Sequence, residues 1–263
     1  GVVLSIVVLM IGLLVIGGTY AFLTVQANVT NANYGATSSC FLIDYNIDNG
    51  NNTQNITGTL FPSLGPSSGL NGRVGLKTSS SCDVNGIGTL KLSVASTTAS
   101  HLTEIATSHC EDKKTGDIWT TYATQVACST ANQNWKEYPT NYCESNDTLS
   151  TLKNVTTASD CTASNGTWVT SASDKTPLKY AVYSASSAGA IPVSVGKIRT
   201  SDIGNDIVIH DNFIINDIEK NFYVYVWLDG YLTDNTHTEL PFSGQLKASA
   251  SQIDQEVPIE YQQ

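Results

Sequence analysis

The apolar positions of this chain fall into three textures. Residues 1–25 read GVVLSIVVLMIGLLVIGGTYAFLTV, almost unbroken and without a charge. A helix needs about 20 apolar residues to cross a bilayer, so this stretch is long enough. From Phe22 the texture changes. Leu23, Val25, Ala27 and Val29 alternate with Thr24, Gln26, Asn28 and Thr30. A period of two predicts a strand with one apolar face. Two roles fit it: the first strand of the domain, or a segment lent to a neighbouring subunit by strand addition.

Strand period then dominates. Residues 40–47 predict a strand ending at the turn Asn49-Gly50. Residues 57–61 predict another, and 62–72 a Gly/Ser/Pro loop. Residues 73–78 and 89–95 predict a hairpin. After residue 177 strands are predicted over 180–184, 192–198, 207–215, 221–228 and 242–250. In 221–228 both faces are apolar: Phe222, Val224, Val226 and Leu228 on one, Tyr223, Tyr225 and Trp227 on the other. A strand covered on both sides belongs at the centre of a sheet.

Residues 100–172 break the pattern with an internal repeat of 33 residues. Thr124, Cys128, Asn132 and Trp135 correspond to Thr157, Cys161, Asn165 and Trp168, and Cys110 corresponds to Cys143. The section is polar and poor in aliphatics. It reads as an insertion of two stapled loops, in which disulfides and Trp side chains stand in for an aliphatic core.

Composition sharpens the picture. Thirteen basic against twenty-three acidic residues give a net charge of −10, which excludes the basic face of a nucleic-acid binder. An even set of cysteines behind an export-like segment suggests disulfides in an oxidising compartment. Cys40 and Cys82 flank the first β region and are expected to pair. One bridge per repeat would give Cys110–Cys128 and Cys143–Cys161, although pairing across the repeats stays open. No CxxC or HExxH occurs, and His101, His109, His210 and His237 lie far apart in sequence. No metal or cofactor is therefore expected.

Three motifs match in letters alone. Gly65-Pro66-Ser67-Ser68-Gly69 has the form GxSxG, but a nucleophile elbow needs a strand before it and a helix after it. Asp44-x-Asn46-x-Asp48 lacks the Gly and Glu of a calcium loop. Residues 240–244 resemble a wall-sorting signal without its apolar span and basic tail. No catalytic residue is assigned. Six sequons, at Asn28, Asn51, Asn55, Asn146, Asn154 and Asn165, are candidate glycosylation sites.

The segment Phe222-Tyr-Val-Tyr-Val-Trp-Leu-Asp-Gly230, with Pro241-Phe-Ser-Gly-Gln-Leu-Lys-Ala248, resembles the C-terminal strands of the TasA/camelysin family of exported fibre proteins. Thr19-Tyr20-Ala21-Phe22 after an apolar run resembles that family's leader. The resemblance covers residues 12–29 and 221–251. It implies a secreted, jelly-roll-like β-sandwich that polymerises into biofilm-matrix fibres by donor-strand exchange. The repeats depart from the family pattern. The protease label attached to the name camelysin has no motif here to support it. A weaker similarity is to type IV pilins, which keep an apolar N-terminal helix; Ser5 stands where they usually carry Glu.

These readings combine into one expectation. Residues 1–21 form an apolar signal or transmembrane helix, with a signal-peptidase-like site after Ala21. Residues 22–99 and 173–263 form a mainly β, jelly-roll-like antiparallel sandwich, and 100–172 the disulfide-stapled insertion. The expected function is a non-enzymatic structural subunit of an extracellular filament or biofilm matrix. It would self-associate through Leu23, Val25, Ala27 and Val29, and meet the membrane through residues 1–25 before or without cleavage. It would sit outside the cytoplasmic membrane and bind no nucleic acid. The alternatives are a membrane-anchored adhesin that binds through the repeats, and a pilin-like subunit whose helix packs in a fibre core.

Overall fold

The computed structural model describes residues 24–26, 40–45, 54–82, 84–184 and 191–252. The expected helix over 1–21, the positions Leu23, Ala27 and Val29, the sequons Asn28 and Asn51, and Asn46 and Asp48 all lie outside the described residues. Among the described residues no helix is long and apolar enough to cross a membrane.

The fold is mainly β and its sheets are antiparallel. One sheet contains β2 (Phe41–Asp44), β5 (Leu70–Thr78), β12 (Leu178–Tyr183), β13 (Ser194–Lys197) and β15 (Lys220–Asp229). Their spatial order is β13-β12-β15-β5-β2, with β4 (Pro62–Ser63) parallel to the end of β15. The other is built on β14 (Asp206–Ile215), β6 (Gly86–Val94) and β16 (Leu240–Gln252). The outer edge of β16 carries β3 (Asn55–Leu60) along its first half and β1 (Thr24–Gln26) near its end.

The two sheets share one hydrophobic core. Val74, Leu76, Val182, Val224 and Val226 enter it from the first sheet, and Ile56, Leu90, Leu92, Phe242 and Leu246 from the second. All alternate with outward residues, so each strand commits one face to the core. Fully burying such a side chain contributes about 1.5–3 kcal/mol. At Gly88 a Cβ would stand 2.2 Å from the Phe213 ring, so glycine here makes room for an aromatic.

The central strand is β15, between β12 and β5. The expected hairpin of 73–78 with 89–95 does not form. β5 pairs with β15 and β2, while β6 pairs with β14 and β16 in the other sheet. Alternation fixes which face of a strand is buried but not which strand lies beside it. The Cys40–Cys82 bridge and the bond from Ser79 N–H to Cys40 O (2.7 Å) hold residue 79 at the β2 end of the first sheet. The chain must then cross to the second sheet before β6 begins. The expected loop over 62–72 is also shorter than predicted: it contains β4 and a 3₁₀ turn at Pro66–Ser68, and β5 starts at Leu70.

The repeats form two small units. In the first, β7 (His109–Glu111) lies between β8 (Ile118–Trp119) and β9 (Asn134–Lys136), with helix α1 at Gln125–Thr130. In the second, β10 (Tyr142–Ser145) pairs with β11 (Gly166–Val169), with helix α2 at Ala158–Ala163.

Candidate functional site

The outer edge of β16 beyond β3 is the first candidate site. β3 pairs with β16 from Leu240 to Gln245 and then stops. The Gln54 backbone extends the pairing to Leu246 (2.8 Å). Beyond it, the Tyr45 hydroxyl accepts the Ala248 N–H (2.8 Å). Burial pushes that phenol up to about 12. Thr24, Val25 and Gln26 then face Ser251, Ala250 and Ser249. Val25 thus takes the register position opposite Ala250, a core residue. Tyr45 was not singled out in the sequence; only its place inside the strand predicted over 40–47 could have flagged it.

The opposite edge of the same sheet is built differently. β14 shows register shifts between Val208 and His210 and between His210 and Phe213, and Asn212 has φ 56°. Irregularity and charge, here Asp206 and Asp211, blunt an edge against further pairing. The β16 end offers Ala and Ser in regular extended backbone.

The insertion is the second candidate site. The structure brings Cys40 together with Cys82, Cys110 with Cys128, and Cys143 with Cys161. Both repeats use the same local devices. Thr124 and Thr157 cap α1 and α2 by accepting the N–H groups of Ala127 (3.3 Å) and Asp160 (3.2 Å). Asn132 (φ 58°) and Asn165 (φ 54°) turn the chain after each helix in the left-handed region, which Asn tolerates. Trp119 and Trp135 face Cys110 across strands, and Trp168 faces Cys143, so each lies beside its own bridge. All three are half-buried.

The second repeat covers the outer face of the first sheet. Lys179 on β12, fully buried, places its Nζ 2.8 Å from Asp229 Oδ2 and 2.9 Å from Glu144 Oε1. The other oxygen of Glu144 meets Lys197 Nζ at 2.7 Å. Thr151 donates to Asp229 Oδ2 through its N–H (2.9 Å) and hydroxyl (2.7 Å), and Tyr231 N–H donates to Oδ1 (3.0 Å). Burial, then the charges of Glu144 and Asp229, raise the Tyr142 phenol beside them. Glu144 follows the first Cys of its repeat as Glu111 does in the other, but no ionic role was expected of it or of the other charged residues. Lys179 and Asp229 each sit beside an apolar strand residue and carry no motif.

His101 and His109 meet the distant His237 around Asp234, where the insertion leaves the sandwich. His237 bonds Asp234 Oδ1 (2.9 Å) and Glu104 O (2.8 Å), and stacks on His101 at 4.2 Å between centroids. His101 bonds Glu104 Oε2 (2.9 Å) and Thr236 Oγ1 (2.8 Å). His109 Nδ1 lies 3.9 Å from Asp234 Oδ2. Burial alone would raise the Asp234 carboxyl, but bonds from Thr236 and His237 outweigh it and hold it below the usual range. His101, Asp234 and His237 have the spacing of cation ligands, but every imidazole nitrogen of His101 and His237 already has a protein partner. The cluster ties the start of the insertion to the turn before β16.

Between the repeats and residues 230–233 lies a groove of about 850 Å³, lined by Tyr138, Asn141, Tyr142, Lys153, Trp168 and Tyr231 among others. Asn146, Asn154 and Asn165 are exposed on the insertion, and Asn55 is exposed at the start of β3. Asn146 and Asn165 bond each other (3.2 Å). Ser67 of GxSxG sits on a 3₁₀ turn that feeds strand β5 rather than a helix. No family model, curated protein or solved structure matches the chain.

Proposed function

We propose that this chain is a non-enzymatic, exported structural subunit of an extracellular filament or matrix. In this reading its two sheets form a jelly-roll-like sandwich of the TasA/camelysin type. The N-terminal segment Leu23, Val25, Ala27 and Val29 passes to the β16 edge of the next subunit. The observation that carries the reading is the end of the β16 edge, where β3 stops and residues 24–26 add a separate strand. A chain alone can fill that edge only with its own segment. In a polymer the neighbour's segment makes the same backbone bonds, so exchange costs little beyond the entropy of association. The insertion covers the outer face of the other sheet, and among the described residues β3 and β1, not the insertion, pair with this edge. Three intramolecular disulfides fit an oxidising, extracellular setting.

Two results test the reading. The secreted form should begin near Phe22. A chain lacking residues 22–30 should give no fibres in electron micrographs; fibres of normal length would sink the donor-strand mechanism. A second reading, a surface adhesin, is favoured by the aromatic-lined groove between the repeats. Single subunits retained in the membrane fraction would favour it, as would loss of cell or glycan binding in Trp168→Ala. A retained helix with fibres intact would favour the pilin-like version.

A further inference from the structure

We propose that Lys179 and Asp229 condense into an intramolecular amide, with Glu144 carrying the protons. The inference goes beyond assembly and does not depend on it. Lys179 Nζ lies 2.8 Å from Asp229 Oδ2, and both side chains are sealed from solvent, at 0% and 1% exposure. In water the reaction of an amine with a carboxylic acid is opposed by ionisation and hydrolysis. Here the pair is held in contact, water is excluded, and fixed geometry confers effective molarities of about 10⁵–10⁸ M.

The surroundings match the reaction. The Trp227 ring lies 5.5 Å from Nζ and the Tyr142 ring 5.9 Å, giving apolar walls. The Thr151 N–H and hydroxyl and the Tyr231 N–H point at the two carboxyl oxygens, where charge builds as the carbon becomes tetrahedral. Glu144 Oε1 is 2.9 Å from the attacking nitrogen. Its position suits a proton carrier.

The step balances without a co-reactant. A proton passes from the Lys179 ammonium through Glu144 to the Asp229 carboxylate, leaving an amine and an acid. The nitrogen lone pair attacks Cγ and a C–N bond forms. Glu144 takes the second proton from nitrogen and gives it to the departing hydroxyl. The C–O bond breaks, and one water leaves. Charge accounting explains why two lysines and two acids share the site. Once Lys179 and Asp229 have become a neutral amide, Glu144 remains paired with Lys197 at 2.7 Å, and no buried charge is left alone. The amide would tie β12 to the end of β15 across 50 residues.

The test is a tryptic digest of the reduced wild-type chain read by mass spectrometry. Trypsin does not cut after an acylated lysine. The expected product is a branched peptide joining residues 176–197 to 221–247, lighter than their sum by one water. Free peptides 180–197 and 221–247 as the main species from folded protein would overturn the proposal. Asp229→Asn should give a branched peptide of the same mass, because ammonia leaves instead of water. Glu144→Gln should slow its appearance by about 10²-fold or more. An unchanged rate would remove Glu144 from the chemistry. Should a variant fail to fold, the wild-type digest still decides.

Discussion

Removing one bridge from the insertion tests whether disulfides replace an aliphatic core there. Take Cys143→Ala with Cys161→Ala. The bridge closes a loop with a sequence separation of 18. The loop-entropy relation then gives about 3 kcal/mol of lost stabilisation. Against that, the second repeat contributes only Tyr142 and Val169 to a small cluster that Leu232 and Ile105 complete from outside it. The main core lies in the sandwich and does not include the bridge. The loss should therefore appear as local opening rather than global unfolding. At about 1.4 kcal/mol per factor of ten, amides of 142–169 should exchange with deuterium about 10²-fold faster. Amides of 222–228 should change by only a few-fold. Unchanged protection of the repeat would show that the bridge is dispensable. Equal loss of protection in both regions would show that insertion and sandwich form one cooperative unit.

Other expectations follow from single positions. Asn132→Ala or Asn165→Ala places an alanine at φ 58° or 54° and should cost about 1–2 kcal/mol in chemical denaturation, while Gly at either position should cost far less. Thr124→Ala and Thr157→Ala each remove a helix cap, for a loss of about 1 kcal/mol confined to the repeats. Gly88→Ala drives a methyl into the Phe213 ring and should lower stability by about 1–3 kcal/mol by overpacking. Burial holds the His210 imidazole below its usual range, beside Phe213 and Phe222. The folded state then binds this proton less well than the unfolded state. Its contribution is complete above about pH 6.5 and is lost as pH falls through the lower folded value, so His210→Phe should flatten the melting-temperature profile on the acid side.

The strands of the sandwich were legible because each commits one face to the core and so prints a period of two. β15 was legible as central because the face of Tyr225 and Trp227 carries large, mostly apolar side chains, as does the face of Val224 and Val226. Strand partners were not legible. Residues 73–78 and 89–95 alternate as a hairpin would, yet the tie of Cys82 to Cys40 sends them to different sheets. The repeat was readable because its caps, turns and cysteines recur at a fixed spacing, each dictated by local backbone need. The ionic cluster was not, because Lys179, Glu144, Asp229 and Lys197 come from distant parts of the chain and only the docked insertion buries them. The histidine cluster stayed hidden for the same reason: residues 101, 109 and 237 meet only after the chain has folded.

Assembly by donor strand requires that the strand beside the end of β16 come from a neighbour in the polymer. Thr24 faces Ser251 across that pairing, and directly opposed positions lie within about 4.5–5.5 Å at Cβ, close to disulfide reach. Thr24→Cys with Ser251→Cys, oxidised in assembled material and run on a non-reducing gel, reads the origin of the strand directly. Donor-strand exchange should give a ladder of covalent multimers that collapses to monomer on reduction. Fibres that yield only internally bridged monomers would contradict it.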